Sequence, residues 1–201
     1  MSAIATIEEL EEIYGPEVPA AKIKVQPLIT PLYQQWIDAS RFLILSTVGP
    51  EGTDASPRGD DGPVVKIVDS HTIHLPDWKG NNRVDSLRNI VRDGRVSLMF
   101  MVPGNNNVVR VNGTGIVSRD TQVIQQFEKQ GKQPRTVIVI SIEEVYYQCA
   151  KALMRSRLWS QPPEECSEIP TAGQFRAEVE EGFDAAAYDE GYAEYAKPRF
   201  W

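Results

Sequence analysis

The chain is poor in the residues that build metal and thiol chemistry. Its 201 residues hold two cysteines, Cys149 and Cys166, and two histidines, His71 and His74. The cysteines form no CxxC pair and have no histidine cluster beside them, which excludes the usual zinc spacings. Two free thiols in a reducing compartment are expected instead. No stretch approaches the ~18 apolar residues of a membrane span. The opening MSAIATIEELEEIYG is acidic and helical in character, whereas a secretory signal starts basic and turns apolar. A soluble, cytoplasmic protein is the expectation. There is no GxGxxG, no Walker loop and no nucleophile elbow.

Excess positive charge is also missing. The net charge is −7, and all of it lies in residues 160–201, which carry ten acidic and three basic side chains. The preceding residues balance, 18 against 18. A neutral body with an acidic tail lacks the basic face of a nucleic-acid binder. The tail reads as a solvated helical region, with Tyr188, Tyr192 and Tyr195 forming one packing stripe at helical spacing.

What is present is a series of short strands. Thr6 with Glu9 makes a capping box for a first helix that Gly15-Pro16 stops. A second helix is expected over residues 30–39, with Pro31 at its first position. Then come apolar or alternating runs at 41–48, 63–68, 71–75, 95–102, 107–117 and 135–147. Gly113 and Gly115 mark a bulge or a close backbone approach in the fifth of these. Helices are expected near residues 84–91, over 120–130 ending at Gly131, and near 171–181 and 184–195. His71 and His74 are read as sharing one face of a strand. Six strands without βαβ alternation imply a mainly β, antiparallel fold with peripheral helices. Apolar runs on both faces favour closure into a six-stranded barrel. Three parts follow: a helical segment at 1–40, a barrel at 41–160, and an acidic helical tail at 161–201 beginning near Pro162-Pro163.

The chemistry concentrates in Ser56–Leu87. A Ser56-Pro57-Arg58-Gly59 stretch precedes a strand pair, and a polar loop follows with Lys79, Gly80, Asn81 and Asn82. A helix then opens with Arg83 and Ser86. The first amides of a helix have no internal partner and attract anions. Arg83 offers a planar fork for phosphate, and Ser86 lies three residues on, on the same side. Arg58 and Lys79 can converge from the loops. The same residues also read as an ordinary helix start, with Asn82 as cap, Arg83 solvated and Asp85 serving the helix dipole. Spacing alone does not name a ligand.

These motifs, in order, resemble the pyridoxamine 5′-phosphate oxidase-related, FMN-binding split-barrel family, specifically a bacterial subgroup. They are Ser56-Pro57-Arg58-Gly59-Asp60, Leu75-Pro76-Asp77, Gly80-Asn81-Asn82-Arg83, Asp85-Ser86-Leu87-Arg88-Asn89-Ile90, Pro103-Gly104, Val109-Arg110-Val111-Asn112-Gly113, and Cys149-Ala150-Lys151-Ala152 with Arg155-Ser156 and Leu158-Trp159. The resemblance covers roughly residues 30–160. It implies a Greek-key split barrel that forms a homodimer with FMN at the subunit interface. Ser56, Pro57 and Arg58 would lie along the isoalloxazine and phosphate side, Leu75 and Pro76 would line the flavin, and Asn82, Arg83 and Ser86 would hold the phosphate; Gly59, Lys79 and Asn81 complete the expected cofactor-binding set. Arg155 and Trp159 would reach across from the other subunit. The family's substrate-reading Arg-x-His is absent, since the matching stretch is Arg155-Ser156-Arg157-Leu158-Trp159; the substrate does not carry over.

The resemblance therefore implies an FMN-dependent oxidoreductase that moves a hydride between flavin and a small molecule. No catalytic residue is assigned. Two other readings stand beside it: a non-catalytic flavin carrier or sensor, and a split barrel that holds haem or a deazaflavin.

Overall fold

A computed structural model describes residues 3–160, 162 and 168–201. Pro163 and Cys166 therefore lie outside the described residues. Cys149 is a free, exposed thiol.

Helix α1 (Ile7–Tyr14) starts on the expected capping box. The Thr6 hydroxyl accepts from the Glu9 amide, the Glu9 carboxylate accepts from the Thr6 amide, and Gly15 ends the helix. A short α2 (Pro19–Ile23), not expected, comes next. α3 (Pro31–Ala39) has its proline in the first turn, although the Thr30 side chain makes no cap bond.

Seven strands, not six, form one antiparallel sheet. They are β1 (Phe42–Gly49), β2 (Gly52–Gly59), β3 (Lys66–Asp69), β4 (Thr72–Asp77), β5 (Arg95–Met101), β6 (Val108–Ser118) and β7 (Thr136–Gln148). Their order is β2-β1-β5-β6-β7-β4-β3. Placing β5 beside β1, and β7 between β6 and β4, makes the crossovers of a Greek-key split barrel. The added strand is β2, GTDASPRG, whose glycine, aspartate and proline are all poor strand formers. It forms because it lies at the sheet edge, where Pro57 has no ladder donor to supply. Its pairing with β1 runs unbroken from Phe42 with Gly59 to Gly49 with Gly52. The strand expected from residue 63 begins only at Lys66.

The barrel interior is apolar, aliphatic but for Phe100. Leu43, Leu45, Ile73, Leu98, Phe100, Val111, Ile138, Ile140 and Val145 are inaccessible to solvent. On β5 the expected alternation holds through Val96, Leu98 and Phe100. The β6–β7 register shifts between Asn112 and Gly113. A Cβ on Gly113 would come within 2.0 Å of the Ser141 carbonyl oxygen, so this glycine permits the bulge that the sequence signalled.

Three further expectations are corrected. Helix α4 (Asp85–Arg92) opens two residues later than read, and its cap is Val84, not Asn82. α5 (Thr121–Gln125) covers only the start of the helix expected to reach Gln130. Gln130 and Gly131 both take positive φ, at 52° and 74°, which no helix continues through. His71 and His74 do not share a face. Three residues apart on a strand means opposite faces; His71 sits exposed in the β3–β4 turn and His74 is buried.

After β7 come α6 (Lys151–Ser156), α7 (Ala172–Ala177) and α8 (Ala185–Ala196), the last two close to their expected places. A 3₁₀ turn, Lys197–Arg199, follows α8.

Candidate functional site

The site grows from the edge strand. On β2 the partly buried positions are Asp54, Ser56 and Arg58, every second residue, so one polar row faces inward. Opposite that row stand the end of β4, the loop 78–84, the first turn of α4 and the start of β7. Between them lies a cleft of about 490 Å³. Asn89 and Ile90, buried on α4, hold the helix in place: the Asn89 side-chain amide donates to Thr47 Oγ1 at 3.1 Å, and Gly49 leaves room for Asn89.

An ion pair and a hydrogen bond to a carboxylate bridge the cleft. Arg58 donates to Asp77 at 2.5 Å, with side-chain exposures of 19% and 15%, and so ties edge strand β2 to β4. Ser86, 3% exposed, donates to the Asp54 carboxylate. Asp54 was not singled out in the sequence. Its signal was the alternation Asp54-Ser56-Arg58, legible only once β2 is known to be a strand.

The loop leading into α4 is held in costly backbone. Asn82 and Val84 both have positive φ, 64° and 49°. For asparagine that is tolerable, but for a β-branched valine it is a genuine outlier. The surroundings enforce it. Asn81 Oδ1 accepts from the Arg83 amide at 3.0 Å, and Arg135 donates to Asn82 Oδ1 at 2.8 Å. Strain of this kind, about 1–3 kcal/mol per residue, collects at ligand clamps.

The expected site residues divide into three groups. Ser56, Pro57, Arg58, Asn81, Asn82, Arg83 and Ser86 all line the cleft. Gly59, Leu75 and Pro76 line a smaller pocket of about 170 Å³ that shares Pro57, Arg58 and Trp78 with the cleft. Lys79 lies between Trp78 and Gly80 on the loop but lines neither space. Arg155 and Trp159 do not reach the cleft of their own chain; the Trp159 indole donates to the Asn105 carbonyl in the β5–β6 turn at 2.8 Å.

The expected pairing of Arg83 with Ser86 around one point is not formed. Arg83 precedes the helix, is 80% exposed, and donates to Asp85 at 2.6 Å. Asp85 thereby raises the guanidinium's already high pKa. Arg135, expected only as the start of a strand, is the cleft arginine without a carboxylate partner among the described residues. Two polar groups on the cleft wall, Arg58 Nε and Thr136 Oγ1, are buried without a hydrogen-bond partner among the described residues. Each such deficit costs about 1–3 kcal/mol. Among the described residues no group of three or more His, Cys, Asp or Glu is placed to hold a metal ion. Nor is any described helix long and apolar enough to cross a membrane.

Residues 29–149 match the family model for pyridoxamine 5′-phosphate oxidase. Among solved structures, a single-residue variant of Group A Streptococcus HupZ shares 16% identity at a TM-score of 0.50, covering 60% of this chain and 99% of that one. An FMN-binding protein from Syntrophomonas wolfei shares 12% identity at a TM-score of 0.44, covering 71% and 97%. General Stress Protein 26 from Bacillus anthracis shares 15% at 0.42, covering 57% and 88%. A search among curated proteins found no match.

Proposed function

This chain belongs to the pyridoxamine 5′-phosphate oxidase family, and from that premise we propose that it binds FMN in the cleft between β2 and α4 and exchanges a hydride with a small molecule there. The carrying observation is the cleft itself. It has the volume of a cofactor site, apolar walls in Pro57, Trp78, Val84 and Leu87, and donors converging from strand, loop and helix. The unsatisfied Arg58 Nε and Thr136 Oγ1 are a hydrogen-bonding deficit that a polar occupant can meet after small side-chain adjustments. The donor set fits a group with a polar planar ring and an anionic tail.

Each residue then has a part. Arg135 and Arg83 hold the phosphate, with the first amides of α4 and the Asn82 side chain. Arg135 does so without breaking an ion pair, whereas Arg83 must exchange Asp85 for phosphate. Ser56, Pro57 and Arg58 lie along the ring, and Arg58, kept in place by Asp77, presents positive charge beside it. Such charge favours the reduced, anionic ring. When bound, FMN supplies two-electron chemistry that no protein side chain offers. The carboxylates of the cleft are bonded to Arg58, Arg83 or Ser86, so protons exchange with solvent or substrate. A hydride step needs no general base.

The site is completed in a homodimer. Met154, Leu158 and Trp159 are exposed on or just after α6, in the segment that carries Lys151, Arg155 and Arg157. In a two-fold pair this apolar and basic segment packs on the partner and brings Arg155 and Trp159 to the partner's cleft. Fluorescence titration of flavin-free protein with FMN and with riboflavin tests the cofactor. FMN is expected to bind at least ~10-fold tighter, the scale of one charge-assisted contact to phosphate. Equal affinities overturn the phosphate assignment, and no binding of either overturns the flavin.

A further inference from the structure

The acidic tail folds back on the site. After α8 the chain turns through Lys197–Arg199, and two contacts tie its end to the barrel. Lys132 Nζ donates to the Pro198 carbonyl at 2.9 Å, and Lys129 Nζ sits 5.3 Å from the centre of the Trp201 ring. Lys129 also bonds Asp60 and Asp61. The buried Asp60 carboxylate accepts in turn from the Trp78 indole at 3.3 Å. A continuous chain of contacts therefore runs from Trp201 through Lys129 and Asp60 to Trp78, a wall of the cleft. Phe200 packs edge-on to Trp201, at 6.0 Å, and lines the smaller pocket with Arg58, Pro76 and Trp78.

We propose that Phe200 and Trp201 form a retractable wall that restricts the smaller pocket to single-ring substrates, making the tail a specificity element. This rests on the flavin reading above. The pocket's volume of about 170 Å³ is roughly a third that of the neighbouring cleft. It shares Pro57, Arg58 and Trp78 with the cleft, so a molecule in it lies beside whatever occupies the cleft. Its outer side is Phe200, which is 57% exposed. A ring so open to solvent, whose neighbours Pro198 and Trp201 are held by lysine contacts and not by a packed core, moves at little cost. Lys129 and Lys132 latch it, and Asp60 couples the latch to Trp78.

The test uses the full chain and a variant lacking residues 198–201. Hydrogen exchange without flavin comes first: loss of the wall should raise exchange across 60–64 and 75–80 and leave 95–101 unchanged. The FMN-loaded proteins are then reduced with dithionite and reoxidised by p-benzoquinone, one ring, or dichlorophenolindophenol, two rings. The truncation should speed the two-ring acceptor about tenfold and the one-ring acceptor about twofold or less, with FMN affinity held within about twofold, as for a lid that gates access and not chemistry. Phe200→Ala should reproduce the acceptor effect with the latch intact. Unchanged exchange, or equal effects on both acceptors in protein that binds FMN, overturns the wall alone. Wild-type protein that does not bind FMN overturns the cofactor reading and the wall's role with it.

Discussion

The barrel interior and the cleft beside it are built on opposite terms. Inside, Leu98, Phe100, Val111 and Ile138 are solvent-free aliphatic or aromatic side chains in regular strands. In the cleft, Asn82 and Val84 take left-handed backbone, which for Val84 breaks its residue's preference, an ion pair crosses from β2 to β4, and two polar atoms lack partners among the described residues. The core supplies rigidity through burial, and the cleft keeps unspent hydrogen-bonding capacity because the core holds it open. Locally unfavourable choices supported by a consistent scaffold are the mark of a site.

That contrast breaks most visibly in the core. Phe100→Ala should cost about 3–5 kcal/mol of stability, as a large ring leaves a cavity that the sheet cannot close. Urea denaturation measures it, and FMN affinity of the remaining folded protein should stay near wild type. In the cleft the dependence reverses. Arg135→Ala should weaken FMN by about 2–3 kcal/mol, the loss of a charge-assisted bond to an anion, and Arg83→Ala by less, because the exposed Arg83 must first give up Asp85. Global stability should hardly move, and riboflavin binding should change much less.

Val84→Gly sharpens the comparison further. In a strand such a change is destabilising, but at φ 49° it removes a steric penalty. Thermal unfolding should show stability unchanged or raised by up to about 1 kcal/mol, while FMN binds more weakly because the loop is less fixed. A clear loss of stability would mean that the left-handed turn at Val84 carries no strain.

The smallest effect is set by pH. Burial, aided by the Lys66 charge, lowers the pKa of His74 below the ordinary imidazole value. Below that ordinary value the unfolded chain takes up a proton that the folded one resists. Stability is therefore full above it and declines as pH falls through the lowered folded value. His74→Gln should flatten that slope between pH 7 and 5 in denaturation curves; an unchanged slope assigns it to other groups.

Much of the barrel was legible because its strands are β-branched and apolar, with turns where glycine and proline predict them. The capping box of Thr6 and Glu9 and the bulge at Gly113 were equally plain. β2 was not, since Thr53-Asp54-Ala55-Ser56-Pro57 has only one strand former, Thr53; pairing with β1 at a sheet edge forms it. Missing β2 hid Asp54. The start of α4 shifted because Asn82 looks like a cap, whereas tertiary contacts from Arg135 pull it into a left-handed turn. Arg135 itself has no local signal: only the β4–β7 pairing brings it to the loop. The cleft residues legible from the motifs, Ser56 to Ser86, were grouped by resemblance, and their partners by the fold.

Hydrogen exchange with and without saturating FMN tests the central claim most directly, because it asks where the flavin sits. Protection should rise across 54–58, 78–88 and 135–137 and stay unchanged on β5, 95–101. Protection confined to other segments, or no change anywhere, would contradict a flavin site between β2 and α4.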